Sequence, residues 1–169
     1  VGSEMCIRDR LLIYSKIKKG LEIHYDGDLP SRSGMGSSSC FVVGLLNALN
    51  YMDNKNISKV YYPGLESHPS YSIAKEQMND FGAMMSFDLN ENVDVYTFLK
   101  SLKIIKPGMS LAGVETTVNF PMKTSHGLMT QEERDIQGIG YKLIRLSAGI
   151  ESYEDLYGDI VQAIKSSIK

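Results

Sequence analysis

The sequence predicts an α+β fold: a small, mostly antiparallel sheet with helices on one face, preceded by a separate strand-loop-helix segment. Within residues 60–169, stretches of helical and strand periodicity alternate, four of each in 110 residues, which suits a sheet packed against helices. Hydrophobic residues make up 43% of the chain, enough to bury a core. The polar run YMDNKNIS, residues 51–58, separates this portion from a front part of different character.

Taken in order, LEIHYDGDLP alternates apolar and polar residues and ends at Asp28-Leu29-Pro30, a strand entering a loop. SRSGMGSSS forms that loop, and CFVVGLLNALNYM follows with Phe41, Leu45, Leu46 and Leu49 at helical spacing. Beyond the hinge, VYYPGLESHP is strand-like with a Pro-Gly turn, and SYSIAKEQMNDF is helical. AMMSFDL is a strand, VDVYTFLKSLKII an amphipathic helix, and ETTVNF a β-branched strand. TQEERDI has the form of a capped helix, with Thr130 ahead of Glu132 and Glu133. LIRLSAGI is the last strand. SYEDLYGDIVQAIKSSI closes the chain as a helix capped by Ser152, acidic in its first turn and basic at Lys165 and Lys169.

Net charge is −2 from 18 basic and 20 acidic residues, with no long block of either sign, which argues against nucleic acid and anionic membranes as partners. No apolar stretch approaches the roughly 20 residues that span a bilayer. Two cysteines, Cys6 and Cys40, form no disulfide framework, so a reducing, cytoplasmic setting is expected.

In PSRSGMGSSSCFVVGLLNAL, Gly34 and Gly36 allow close backbone approach to an anion. The hydroxyls of Ser37, Ser38 and Ser39 and the free amides of the next helix supply donors. Simple helix capping is the alternative reading of the same residues. The whole string resembles the P-x-x-x-G-L-G-S-S-A signature of the GHMP small-molecule kinases, and IHYDGDLPSRSGMGSSS looks most like their heptose-phosphate members. The resemblance runs from near Lys16 to near Ser58. It implies that Gly34, Gly36, Ser37 and Ser38 wrap the phosphates of ATP, with Ser38 near Mg2+. Met35 stands where leucine is usual, and Ser39 and Cys40 where alanines are. The catalytic acid, adenine pocket and C-terminal glycine motif of such kinases have no counterpart after Ser58.

VYYPGLESHPSYSIAKEQMNDFGAMMSFDL resembles the V-x-Y-P-G-L-x-S-H-P…A-x-x-Q-M-x-x-F-G-x-M-x-S-F motif of the Cys/Met-metabolism, or trans-sulfuration, family of pyridoxal-phosphate (PLP) enzymes. The likeness continues through SLAGVETTVNFPMKTSHGLMTQEERDIQGI and LIRLSAGIESYEDLYGDIVQAI. It implies the C-terminal domain of a fold-type I PLP enzyme, which closes over a cofactor held mainly by a larger upstream domain. A homotetrameric parent acting on a small sulfur amino acid is also implied, by cystathionine synthase, cystathionine lyase, methionine γ-lyase or sulfhydrylase chemistry.

Arg145 is the foremost site candidate. By residue type alone, an arginine between Ile144 and Leu146 either points to solvent or is buried against a carboxylate, and its planar guanidinium suits bidentate carboxylate binding. The resemblance implies that the R-L-S-x-G-x-E arginine holds the substrate α-carboxylate, with Ser110 and Leu111 lining the same pocket. Ala112 replaces a family glycine there. Met109 occupies a position that varies with reaction type, so it leaves the exact reaction open.

His68 and His126 lack ligand spacing, and no metal is assigned to them. Met78, Met84 and Met85 read as core filler. PLP chemistry needs a Schiff-base lysine, an acidic partner for the pyridine nitrogen and an aromatic ring over the cofactor. Lys75, Lys100 and Lys103 read as solvated helix faces, so no catalytic residue is assigned. The expectation is that this polypeptide alone neither holds PLP nor turns over substrate.

The nucleotide string GTG GGC TCG GAG ATG TGT ATA AGA GAC AG plus A or G, which resembles the end of a transposase adapter, translates to VGSEMCIRDR, the sequence of residues 1–10. An ordinary disordered N-terminus is the bland alternative. The expected organisation is adapter-like residues 1–10, a kinase-like segment 11–59 and a PLP-enzyme domain 60–169, joined near Asn56–Val60 as merged gene fragments. Three functional readings follow: a trans-sulfuration domain, an ATP-binding kinase segment, or a non-functional fused reading frame.

Overall fold

The computed structural model describes residues 56–169, except residues 79, 80 and 112 and the side chain of Tyr153. The expected elements at residues 21–52, the loop residues Gly34, Gly36, Ser37 and Ser38, and residues 1–10 lie outside the described residues.

The described strands are β1 (Ile57–Tyr61), β2 (Met84–Leu89), β3 (Lys106–Pro107), β4 (Thr117–Asn119) and β5 (Leu143–Ser147), ordered β1-β2-β5-β4-β3 in one sheet. Three of the four pairings are antiparallel; β3 runs parallel to β4. The helices are α1 (Tyr71–Gln77), α2 (Val95–Ser101), α3 (Gln131–Ile136) and α4 (Tyr153–Ser167), with a 3-10 turn at Pro121–Lys123.

In MMSFDL and LIRLS the extended backbone sends every second side chain to one face. Met85, Phe87 and Leu89 of β2, Ile144 and Leu146 of β5 and Val118 of β4 form one wall of the core. Val95 and Phe98 of α2 and Leu156, Ile160, Ala163 and Ile164 of α4 form the other. Phe87 and Phe98 meet edge to face at 6.3 Å, the favoured aromatic geometry. The α+β architecture is as the periodicity implies, although α3 buries no residue and only α2 and α4 build this helical layer.

Several boundaries differ from expectation, each for an identifiable reason. The first strand begins at Ile57, inside the expected polar hinge. A register irregularity between Ile57 and Lys59 lets Ile57 and Val60, three residues apart, both pack on the core, a spacing that conceals a strand. The two-residue β3 was not expected at all. The helix expected over residues 93–105 ends at Ser101, because the amides of Lys103, Ile104 and Ile105 donate to the Asp159 carboxylate at 2.8 Å each. The strand expected over residues 143–150 stops at Ser147, since the Gly149 amide turns to Thr116 Oγ1. Of the three methionines read as core, only Met85 is: Met78 is exposed and Met84 lies on the opposite face of the sheet.

Helix α3 shows what capping alone can hold. Thr130 Oγ1 accepts from the Glu133 amide and Glu133 Oε2 accepts from the Thr130 amide, a complete capping box on a helix without buried residues. Those bonds hold the Glu133 carboxyl below its ordinary value. Thr130→Ala should therefore raise hydrogen exchange across α3 about fivefold, the equivalent of the roughly 1 kcal/mol an N-cap contributes. Amides of β2 and β5 should be unaffected, and a uniform loss across the sheet would contradict this.

Candidate functional site

The sheet face turned away from α2 and α4 carries a polar row. Tyr61 pairs with Ser86, Ser86 with Arg145, and Arg145 with Asn119, so four adjacent strands contribute one residue each. Period-two alternation forces this: if Phe87 and Ile144 face the helices, Ser86 and Arg145 face away. Tyr61, Met84, Met85, Ser86 and Arg145 line a shallow open depression there.

Arg145 sits at the middle of β5. Its Nη2 donates to the backbone carbonyls of Met109 at 3.0 Å and Ser110 at 3.2 Å. Its Nε is buried with no hydrogen-bond partner. Among the described residues Arg145 forms no ion pair; Lys106 pairs with Glu115, and Lys142 lies 3.9 Å from Glu91. A guanidinium held by neutral carbonyls retains its full charge, and a buried unfilled donor is costly unless an acceptor arrives. Asn119, Arg145's cross-strand neighbour and only 2% exposed, likewise has a buried Nδ2 without a partner, while its Oδ1 accepts from Thr124 Oγ1.

Of the other expected site residues, Ser110 meets Arg145 through its carbonyl, which also accepts from Thr117 Oγ1 at 2.9 Å. Leu111 is 51% exposed and is not among the residues lining the depression. Met109 is 65% exposed beside the guanidinium. His68 Nδ1 accepts from the Ser70 amide and His126 Nδ1 lies 2.8 Å from Ser125 Oγ; no group of residues suited to a metal ion occurs among the described residues.

Tyr61 went unremarked in the sequence, where it reads as part of a strand. Its hydroxyl donates to Asp88 Oδ2 at 2.7 Å, and burial, then Asp88's hydrogen bond and charge, push it up to about 12. It is therefore a neutral wall of the site at physiological pH. Glu151 was also missed, beyond its place in the R-L-S-x-G-x-E string. Burial raises its carboxyl, but bonds from the Thr116 hydroxyl and amide, both 2.7 Å, outweigh that and lower it. An acidic residue two beyond a glycine at the end of an apolar strand was the signal in the sequence.

Residues 45–165 match the model of the Cys/Met metabolism PLP-dependent enzymes, most of the chain. The chain belongs to that family. Residues 5–63 match the GHMP kinase N-terminal domain, so the two matched regions overlap across the hinge and β1. The chain is 46% identical over 110 residues to an L-methionine gamma-lyase of Fusobacterium nucleatum subsp. nucleatum, covering 64% of this chain and 28% of the relative. It is 45% identical over 112 residues to a cystathionine beta-lyase of Lactococcus lactis subsp. cremoris, covering 66% and 30%. Among solved structures, cystathionine gamma-lyase from Lactobacillus plantarum complexed with L-serine superposes with TM-score 0.69 at 34% identity, covering 77% of this chain and 34% of that one. The chain thus spans about 28% to 34% of the length of these family members.

The family's cofactor requires a Schiff-base lysine and an acidic partner for its ring nitrogen. Among the described residues no lysine lines the Arg145 depression. Lys59 Nζ lies over the Tyr61 ring at 4.6 Å, and Lys142 Nζ donates to the Val93 carbonyl at 2.7 Å. Among the described residues no acidic side chain lines that depression either. No helix among them is long and apolar enough to cross a membrane.

Proposed function

We propose that the described domain is the substrate-carboxylate side of a trans-sulfuration enzyme acting on sulfur amino acids, with Arg145 as the α-carboxylate anchor. One observation carries this: a guanidinium on the open sheet face, held by two carbonyls, with no carboxylate of its own and a buried Nε lacking an acceptor. A planar carboxylate supplies what that donor lacks. Ser110 contributes by fixing the guanidinium through its carbonyl, and Leu111 forms exposed apolar rim. The names of the relatives, a methionine lyase and a cystathionine lyase, support the substrate class. Turnover is proposed to require a cofactor-bearing domain that supplies the lysine.

Nuclear magnetic resonance of the full chain, titrated with L-methionine and with L-methioninamide, tests this. The acid should shift the Arg145 Nε–H resonance and the amide should not, because only the acid offers a carboxylate. Equal shifts from both ligands would overturn the anchor reading. A second reading rests on the match of residues 5–63 to the kinase domain: Gly34, Gly36, Ser37 and Ser38 as a phosphate loop for ATP with Mg2+. Calorimetric binding of ATP–Mg2+, lost in Gly36→Val, supports it; no heat of binding removes it.

A further inference from the structure

Arg145 in the middle of β5 and Glu151 four residues beyond its end grip the same loop at two places. The segment from Gly108 to Thr116 leaves β3 and returns into β4. Near its start, the Met109 and Ser110 carbonyls accept from Arg145 Nη2. At its other end, fully buried Thr116 is held by Glu151, whose two carboxylate oxygens accept from the Thr116 amide and hydroxyl at 2.7 Å each. Thr116 Oγ1 in turn accepts from the Gly149 amide at 2.8 Å, and the Ile150 amide donates to the Val114 carbonyl at 3.0 Å.

The clamp explains Gly149. A Cβ there would lie 2.4 Å from the Val114 carbonyl oxygen, 2.6 Å from Glu151 Oε2 and 2.6 Å from the Thr116 nitrogen. Any side chain would push the two backbones apart at the point where the carboxylate bridges them.

We propose that Glu151 is a positioning residue for the Arg145 site: by fixing Thr116 it sets the loop whose carbonyls aim the guanidinium. This rests on the carboxylate-anchor reading for its functional meaning, though the mechanical claim stands apart from it. Arg145 has no side-chain carboxylate to orient it, so its direction depends on the Met109 and Ser110 carbonyls, and the Ser110 carbonyl is itself held at 2.9 Å by Thr117 Oγ1, the residue next to the Thr116 that Glu151 fixes. The side chains of Met109, Leu111 and Val114 are exposed, and the loop is held through its backbone: the Gly108 amide donates to the Val118 carbonyl at 2.9 Å and the Val114 carbonyl accepts from the Ile150 amide. A carboxylate accepting from an amide and a hydroxyl makes stronger bonds than neutral acceptors do, which makes Glu151 the strongest of these fastenings.

The test uses the full chain without ligand and reads the Arg145 Nε–H resonance and its solvent exchange. Glu151→Ala should move that resonance to the position of an exposed arginine and speed its exchange at least tenfold, while the Phe87 and Ile144 amides in β2 and β5 keep their protection. Thr116→Val, nearly the same size, removes both hydroxyl links and should produce the same change should Glu151→Ala fail to fold. Glu151→Gln retains an acceptor for the Thr116 amide and offers its Nε2 as a donor to Thr116 Oγ1, keeping both links, and should restore most of the native signal. An unchanged Arg145 signal in a folded variant overturns the proposal, as does a shift accompanied by equal loss of protection in β2 and β5. Failure of the carboxylate-anchor reading would appear separately, as L-methionine leaving the native Arg145 resonance unmoved.

Discussion

Arg145→Ala should raise the KM for the amino-acid substrate roughly ten- to hundredfold, with kcat changed much less. The measurement needs an active enzyme, obtained by grafting residues 60–169 in place of the matching region of the Fusobacterium nucleatum L-methionine gamma-lyase, 46% identical over 110 residues. A hydrogen bond to a charged group contributes about 1.5–3 kcal/mol, which sets that range. Because the carboxylate is bound alike in the ground state and at the transition state, its loss should fall on KM. Arg145→Lys should recover only part, since an ammonium offers a point charge and not a planar fork. The α-amide should be no worse a substrate than the acid once Arg145 is gone. An unchanged KM in Arg145→Ala would remove the anchor from the mechanism.

Asp159→Ala should destabilise the described domain by about 3–5 kcal/mol, lowering its unfolding midpoint by roughly 15 °C or more. Asp159 is 4% exposed on α4 and accepts from three successive amides, Lys103, Ile104 and Ile105, with Gln162 Nε2 at 3.0 Å from its Oδ1. Its removal takes the acceptor from three amides at once, the Ile105 amide among them buried, and that unmade bonding sets the size of the effect. The contact also ties α4 to the segment leading into β3, so the loss should reach the loop beside Arg145.

Acid should reveal the same group. Burial raises the Asp159 carboxyl, but the amide bonds outweigh it and bring it below its ordinary value of 3.8. A folded-state value below the unfolded one means this stability is fully present above the ordinary carboxylate range and is lost as pH falls through the depressed value. Glu151 follows the same sign. Asp159→Asn should therefore be less stable at neutral pH and show a shallower decline on acidification. A decline parallel to that of the native protein would show that Asp159 contributes no pH dependence.

The pattern of apolar residues was enough to read β2 and β5. In MMSFDL the buried residues are those that alternation selects, and LIRLS follows the same rule except at its end, where Ser147 is buried beside Leu146. The α3 capping box and the Ser152 cap of α4 were legible for the same reason: each depends on residues three apart in the chain. Arg145 stood out as a charge between apolar neighbours, although its surroundings could not be foreseen.

Local pattern alone determined which segments alternate, where two helices are capped, and that an arginine interrupts an apolar strand. Tertiary structure decided what lies opposite what. Ile57 became a strand residue through an irregular pairing with β2, thirty-two positions from Leu89. The second helix lost its last residues to Asp159, whose bonds reach back 54 to 56 positions. The polar row Tyr61, Ser86, Arg145 and Asn119 exists because four strands align in register, and the Glu151–Thr116 clamp spans 35 positions. Periodicity reports which way a side chain faces, whereas a hydrogen bond between distant segments depends on where the folded chain brings its partner.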